Sequence, residues 1–387
     1  MMKIQLMNKI AAEGTEALDD ETFIVGDNIE NPDGILVRSA DLHEAPLGPA
    51  LKAIARAGAG VNNIPVEECA KRGIVVFNTP GANANAVKEL AIAALMLTSR
   101  DILGGAVWAQ SLAGTEGIAK QVEKGKSRFA GTEVRGKTLG VIGLGAIGGL
   151  VANAAADLGM KVIGCDPFLS VDGAWHLSRS VGKAATYEEI FVKADYITLH
   201  VPATPQTRNM INKESIALMK PGVRILNLAR ADLVCAEDLK AALTAGKVAA
   251  YVTDFPTEET VGVPGIVAIP HLGASTEEAE INCAVMAAKE LDEYLRFGNI
   301  RNSVNYPNVS MPVSANTRIC ILHENIPNII AQITGLLSEE GVNIENMINK
   351  SRGDYAYTIA DITGKASGNT AKKIEAVSGI IRVRVIG

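Results

Sequence analysis

The sequence predicts an α/β protein in three parts: a Rossmann nucleotide-binding domain, a second parallel α/β domain into which it is inserted, and a small βαββαβ unit behind them. Three observations predict this. Short apolar runs alternate with helical periodicity over residues 1–305. A GxGxxG turn lies mid-chain, at Gly143, Gly145 and Gly148, so one α/β lobe precedes it. After a proline-bearing stretch at 305–315 the order becomes strand, helix, strand, strand, helix, strand.

The first lobe has strands at 4–7, 23–25, 35–37, 53–55 and 74–77. Pro65, followed by Glu67 and Glu68, opens a helix with proline and acids in its first turn. Polar turns follow the strands: Arg38-Ser39, Arg56 with its glycines, and 78–83 ending in Asn83. Open α/β sheets bind ligands at that edge. Guanidinium forks suit carboxylates and phosphates, so Arg38 and Arg56, with Lys126 and Arg128 further on, suit a doubly anionic small molecule. The helix at 86–97 is apolar almost all round and reads as a buried crossing between lobes.

Residues 138–159 form the centre of the second lobe. Leu139, Val141, Ile142 and Leu144 make the apolar run of a parallel strand covered on both faces. In the turn that follows, Gly143 permits the bend, Gly145 lets a pyrophosphate approach the backbone, and Gly148 lets the helix lie close on the sheet. The helix N-terminus supplies unpaired N–H groups for the phosphates. A second strand at 161–165 ends in Asp166, placed to bond the ribose hydroxyls, which favours NAD over NADP.

Strands at 197–201, 223–228, 248–253 and 266–269 then bring polar groups to one edge. Among these groups, His271 suits a base for a hydroxyl proton and Arg230 a cation that orients a carboxylate and polarises a carbonyl. Glu258 suits a partner that favours the charged imidazole. A helix capped near Ser275 and Thr276 runs to about 297 and returns the chain to the first lobe, with a cleft expected between the lobes.

A net charge of −6, with no Lys/Arg run, speaks against nucleic-acid and acidic-membrane partners. The longest apolar run is too short to span a bilayer, and the N-terminal residues lack a signal-peptide core, so a cytoplasmic protein is expected. The five scattered cysteines form no CxxC and the five histidines no ligand spacing, so no disulfide framework and no metal site is expected.

The motifs TLGVIGLGAIG, GCDP, LNLAR, DFPTEE and PHLGAST, in that order and spacing, resemble the D-isomer-specific 2-hydroxyacid dehydrogenases. RSA at Arg38, RAGAGVNN from Arg56 and NTPGAN from Asn78 extend the resemblance, and the C-terminal segment is similar to an ACT domain. The resemblance implies a flavodoxin-like substrate domain at 1–95 and 277–305, an NAD-binding domain at 96–276, a linker at 306–315 and an ACT-like regulatory domain at 316–387.

It implies Arg230, Glu258 and His271 as catalytic residues, and Arg38, Ser39, Arg56 and Asn83 as substrate contacts. NAD would be held by Gly143, Gly145, Ala146, Ile147, Gly148, Asp166, Val201, Pro202, Ala229, Asp254, Gly273 and Ala274. The implied reaction is oxidation of D-3-phosphoglycerate, the first step toward serine. Another D-2-hydroxyacid, or a non-catalytic NAD-sensing scaffold, are the alternatives. His323, Asn325 and Asn343 match the positions where serine-sensitive members hold L-serine as inhibitor, and a homodimer or homotetramer is implied. The chain departs from the family pattern at Ala146, where an arginine is usual, and at Thr253, where the usual aspartate is displaced to Asp254.

Overall fold

The computed structural model describes residues 1–314, 316–364 and 368–387, so Ala315 at the end of the expected linker lies outside the described residues. The chain divides into two compact units, one of Met1–Asn83 with Glu280–Gly387 and one of Ala84–Ala279.

The continuous unit is built on seven parallel strands. Their order is Ile266–Ala268, Val248–Thr253, Val223–Asn227, Tyr196–Leu199, Thr138–Ile142, Lys161–Cys165 and Val181–Lys183. Helices cover both faces of the central strands, which is why Tyr196–Leu199 is buried at every position and reads as one apolar run. The order changes direction between Thr138–Ile142 and Tyr196–Leu199, which puts the switch point of a Rossmann sheet beside the glycine turn. Helix Ala84–Ser99 belongs to this unit, packed on helix Ala146–Asp157 and on the strands Val223–Asn227 and Val248–Thr253. The short edge strand Val181–Lys183 was not expected from sequence, its three residues giving no periodicity.

The discontinuous unit carries a five-stranded parallel sheet in the order Phe23–Gly26, Met2–Met7, Gly34–Val37, Ala53–Arg56, Val75–Phe77, the flavodoxin-like order. Helix Glu277–Phe297 lays Ala287, Ala288, Leu291, Tyr294 and Leu295 into the core of this sheet. Its first turn is capped by the Thr276 hydroxyl, which accepts from the Ala279 amide at 3.1 Å.

The C-terminal residues form an antiparallel sheet in the order Ile344–Arg352, Tyr355–Ile362, Thr317–Glu324, Ile380–Ile386, with helices Ile329–Glu339 and Gly368–Glu375, a ferredoxin-like arrangement. Asn328, just before the first helix, takes φ +70°, a left-handed conformation that asparagine tolerates.

This sheet is not on a free tether. Cys320, Leu322, Tyr357 and Ile359 share one core with Tyr294 and Leu295, and the Arg384 guanidinium donates to the carbonyls of both of these. In the stretch read as a linker, Tyr306, Val309 and Met311 are buried, and the Tyr306 hydroxyl donates to the Ala70 carbonyl at 2.6 Å. The prolines that suggested a linker flank apolar side chains that have a core to enter. Among the described residues no single helix is long and apolar enough to cross a membrane.

Candidate functional site

At the glycine turn each position has a different local reason. Gly143 has φ +88°, and a Cβ there would stand 2.5 Å from the His200 carbonyl oxygen. A Cβ on Gly148 would meet the Gly143 carbonyl oxygen at 1.9 Å. Gly145 differs: its φ is −66° and nothing lies within 4 Å of where its Cβ would be. Protein packing therefore explains Gly143 and Gly148 but leaves open space over Gly145, at the N-terminus of helix Ala146–Asp157 with Ala146 and Ile147 in its first turn. A dinucleotide's pyrophosphate fits that space. Asp166 is half-buried, and its carboxylate accepts from the amides of Leu144 and Phe168, each at 2.9 Å, which ties it to the turn. His200 closes the turn from behind. Its Nε2 lies 2.9 Å from the Thr198 hydroxyl, and burial pushes its pKa down to about 4, so the ring is neutral.

At the same sheet edge Phe255 is the shared surface. The His271 ring lies 4.6 Å from it and the Arg230 guanidinium 5.5 Å from it, centroid to centroid and cation to centroid. His271 is exposed and has φ +42°, a strained value for a residue with a Cβ. Two bonds hold it there: its amide donates to the carbonyls of Asp254 and Ile269, both at 3.0 Å.

Asp254 is buried, and its Oδ2 accepts from the Gly273 amide at 3.0 Å. Burial pushes this carboxyl up, against the Gly273 amide and the charges of His271 and Arg230. Its Oδ1 has no partner among the described residues. Asp254 thus grips the loop of His271 and Gly273, with half-buried Ala274 following. Glu258 is exposed, and no hydrogen bond or ion pair joins it to His271. The loop of Ala229 and Arg230 is shaped by Asn227, which is buried. Its side chain accepts from both amides and donates to the Arg230 carbonyl. Val201 and Pro202 follow strand Tyr196–Leu199, where the Pro202 carbonyl accepts from the Thr207 hydroxyl at 2.6 Å.

In the discontinuous unit, Arg38 and Ser39 leave the strand next to the switch point. Asn8, at φ +73°, accepts there from the Ser39 amide at 3.2 Å and from the Ala40 amide. Arg38 pairs with Glu280 at 2.6 Å, both partly exposed. The Arg56 Nε donates to the Arg38 carbonyl at 3.1 Å, which ties the two neighbouring strand ends together. Burial and the neighbouring Arg38 charge both push the pKa of Arg56 down. Asn83 is half-buried at the end of this segment. Lys126 and Arg128 serve otherwise than expected: Lys126 pairs with Glu123 at 2.6 Å, and Arg128 stacks over Trp108 at 4.4 Å and Phe129 at 4.8 Å. Their charges are engaged within the 102–129 segment.

The three C-terminal candidates do not converge within one chain. His323 is buried with both ring nitrogens engaged, Nδ1 at the Glu324 carbonyl (2.7 Å) and Nε2 at the Thr358 hydroxyl (3.0 Å). Asn325 donates to the Gly353 carbonyl at 3.1 Å. Asn343 donates to Glu345 and Thr363. His323 pairs with Ala356 and Ile344 with Ile362, so Asn343, one residue beyond Ile344, sits seven residues along the sheet from His323, about 23 Å away at strand rise. Among the described residues no cluster of His, Cys, Asp or Glu has the makings of a metal site.

Asn8, Asn227, His200 and Phe255 are the positions sequence reasoning passed over. Asn8 acts on the backbone of a segment distant in sequence, Asn227 on its own loop and His200 from behind the glycine turn, and only Phe255 carried a signal, its place in DFPTEE.

Residues 106–273 match the family described as D-isomer specific 2-hydroxyacid dehydrogenase, NAD binding domain. Over 99% of its length the chain is 32% identical to a D-3-phosphoglycerate dehydrogenase of Synechocystis sp., covering 69% of that protein. It is 37% identical to one of Methanocaldococcus jannaschii, over 79% of this chain and 58% of the relative. The chain belongs to the D-isomer-specific 2-hydroxyacid dehydrogenases. A solved relative of this family, the NAD+-bound 3-phosphoglycerate dehydrogenase of Entamoeba histolytica, is 28% identical and superposes with a TM-score of 0.60, over 79% of this chain and 98% of that one. The Ala84–Ala279 unit is therefore the family's NAD-binding domain, and the open space over Gly145 is the feature of this chain that fits the cofactor.

Proposed function

We propose that this dehydrogenase oxidises D-3-phosphoglycerate to 3-phosphohydroxypyruvate in the cytoplasm, with NAD as hydride acceptor. The observation that carries the reading is the meeting of Arg230 and His271 over Phe255, at the sheet edge that also bears the glycine turn. His271 accepts the proton of the C2 hydroxyl as the C2 hydride leaves, and Arg230 holds the carboxylate and the developing carbonyl. NAD, when bound, takes the hydride. Gly143, Gly145 and Gly148 admit its pyrophosphate, Asp166 its ribose, and Ala146, Ile147, Val201, Pro202, Ala229, Gly273 and Ala274 the rest of the dinucleotide. Glu258 supports the imidazolium on the strength of the family resemblance. Arg38 and Arg56, at neighbouring strand ends, favour a substrate with two acid groups, with Ser39 and Asn83 as further contacts.

Rates of NADH oxidation with 3-phosphohydroxypyruvate, hydroxypyruvate, pyruvate and glyoxylate test the substrate. The phosphorylated 2-oxoacid should give the highest kcat/KM, and its ranking last would overturn the assignment.

The same proposal extends to assembly. Strand Ile344–Arg352 lies at the edge of its sheet and is largely exposed, which suits pairing with its copy in a homodimer or homotetramer. L-serine at that seam would meet Asn325 from one copy and Asn343 from the other. His323, already satisfied inside, would act by fixing the strand end. Sedimentation with and without serine checks both parts, and a monomer indifferent to millimolar serine would remove them.

A further inference from the structure

Within the discontinuous unit a cavity of about 640 Å³ lies along helix Glu277–Phe297 and under the turn at 299–302. Its size is that of a small-molecule site. Met286 and Ala82 give it apolar wall. Lys289 and Arg301 also line it, both exposed, and neither has a hydrogen-bond or ion-pair partner among the described residues. Glu293 is already engaged, accepting from Asn299 at 2.6 Å.

Glu290 is the unusual member. It is more than nine-tenths buried, its Oε1 accepts from the Asn302 amide group at 2.7 Å, and its Oε2 has no partner. A buried carboxyl oxygen without a partner is costly unless something supplies one. Burial also pushes this carboxyl up to about 8, so at neutral pH the two free cations, Lys289 and Arg301, share the cavity with one carboxylate, Glu293, rather than two.

We infer that this cavity is a second small-molecule site, taking a short aliphatic amino- or hydroxycarboxylate. The carboxylate is met by Lys289 and Arg301, the aliphatic part lies on Met286 and Ala82, and the amino or hydroxyl group is met by Glu290. Ala82 belongs to the 78–83 turn that the family uses on its substrate side. Asn302 ties that turn to the cavity, since its carbonyl accepts from the Asn78 amide at 3.3 Å while its side chain bonds Glu290. An occupant therefore has a physical route to the substrate loop.

The test is titration calorimetry of the full chain at pH 7 with L-valine, L-lactate and inorganic phosphate as probes. One of the two carboxylates should bind once per chain, with the same affinity in Arg230→Ala, whose catalytic edge is impaired. The double variant Lys289→Met, Arg301→Met should weaken it at least tenfold while still binding NADH. If the double variant loses NADH binding and so its fold, Lys289→Met alone should weaken the carboxylate several-fold. Failure of both carboxylates to bind, undiminished binding in the lysine and arginine variants, loss of binding in Arg230→Ala, or binding of phosphate alone would each overturn the assignment. None of these readouts needs turnover, so failure of the proposed reaction would leave this result readable.

Discussion

The edge of the seven-stranded sheet and the C-terminal antiparallel sheet were both singled out by their motifs, and they treat their polar side chains in opposite ways. In the antiparallel sheet the polar groups are used up inside the fold. His323 has a partner on each ring nitrogen, and Arg318, with its side chain only 5% exposed, donates two hydrogen bonds to the Asp361 carboxylate and others to the carbonyls of Phe297 and Pro312. At the parallel edge Arg230 makes one bond, to its neighbour's carbonyl, and His271 and Glu258 remain exposed. There the fold spends its bonds on backbone instead: Asp254 and Asn227 hold the loops, and the side chains of Arg230, His271 and Glu258 keep most of their bonding capacity. A polar residue in a motif marks structure when its partners are complete and chemistry when they are not.

The largest effect expected from this contrast is at His271. His271→Ala should lower kcat by about 10²–10⁴-fold, the range for loss of a general base, while NADH affinity and the unfolding midpoint stay near normal. Steady-state rates beside fluorescence titration of NADH check it, and a kcat within threefold of the parent would place the base elsewhere. His323→Ala should do the reverse, lowering stability and leaving turnover per folded molecule intact.

Asp361→Ala should cost about 3–5 kcal/mol, because it strands the buried Arg318 charge rather than removing the pair. Urea unfolding of the full chain measures this. A loss under 1 kcal/mol would mean the guanidinium is satisfied by the carbonyls alone.

How much of this was legible in the sequence follows the same division. Strands whose apolar runs are covered on both faces, such as Lys161–Cys165 and Val248–Thr253, could be read to the residue, because burial on two faces leaves a pattern in one segment. The glycine turn was legible for the same reason. The helices Ile102–Ser111 and Ile118–Gly125 were not, since Ile102, Leu103, Val107 and Ile118 are exposed in this chain and break the link between apolarity and burial. The set of His323, Asn349 and Thr358 could not be read either. It depends on register between strands, and asparagine at 349 looks like any surface residue until it is placed beside Thr358.

Glu290 lets the contrast be tested by pH. Its folded pKa of about 8 lies above the ordinary 4.5, chiefly through burial, with the Asn302 bond opposing. Between those values the folded chain holds a proton that the unfolded chain has lost, so stability falls as pH rises through this window, on the order of 5 kcal/mol in all. Glu290→Gln should flatten that slope and be more stable than the parent at pH 8.5, as read from urea midpoints across pH. An unchanged slope would put the carboxylate in contact with water.

The smallest effect separates two glycines of one motif. Gly148→Ala places a methyl 1.9 Å from the Gly143 carbonyl oxygen, backbone against backbone, and should cost about 1–3 kcal/mol of stability as the helix is pushed from the sheet. Gly145→Ala adds the same methyl where nothing lies within 4 Å, at a backbone conformation alanine accepts, so the melting temperature should not fall. Its effect should appear only when NADH is added, as a Kd raised about tenfold, which corresponds to about 1.4 kcal/mol. Melting curves with and without NADH distinguish the two. If Gly145→Ala melted early without cofactor, or bound NADH as the parent does, the space over Gly145 would not be where the pyrophosphate goes.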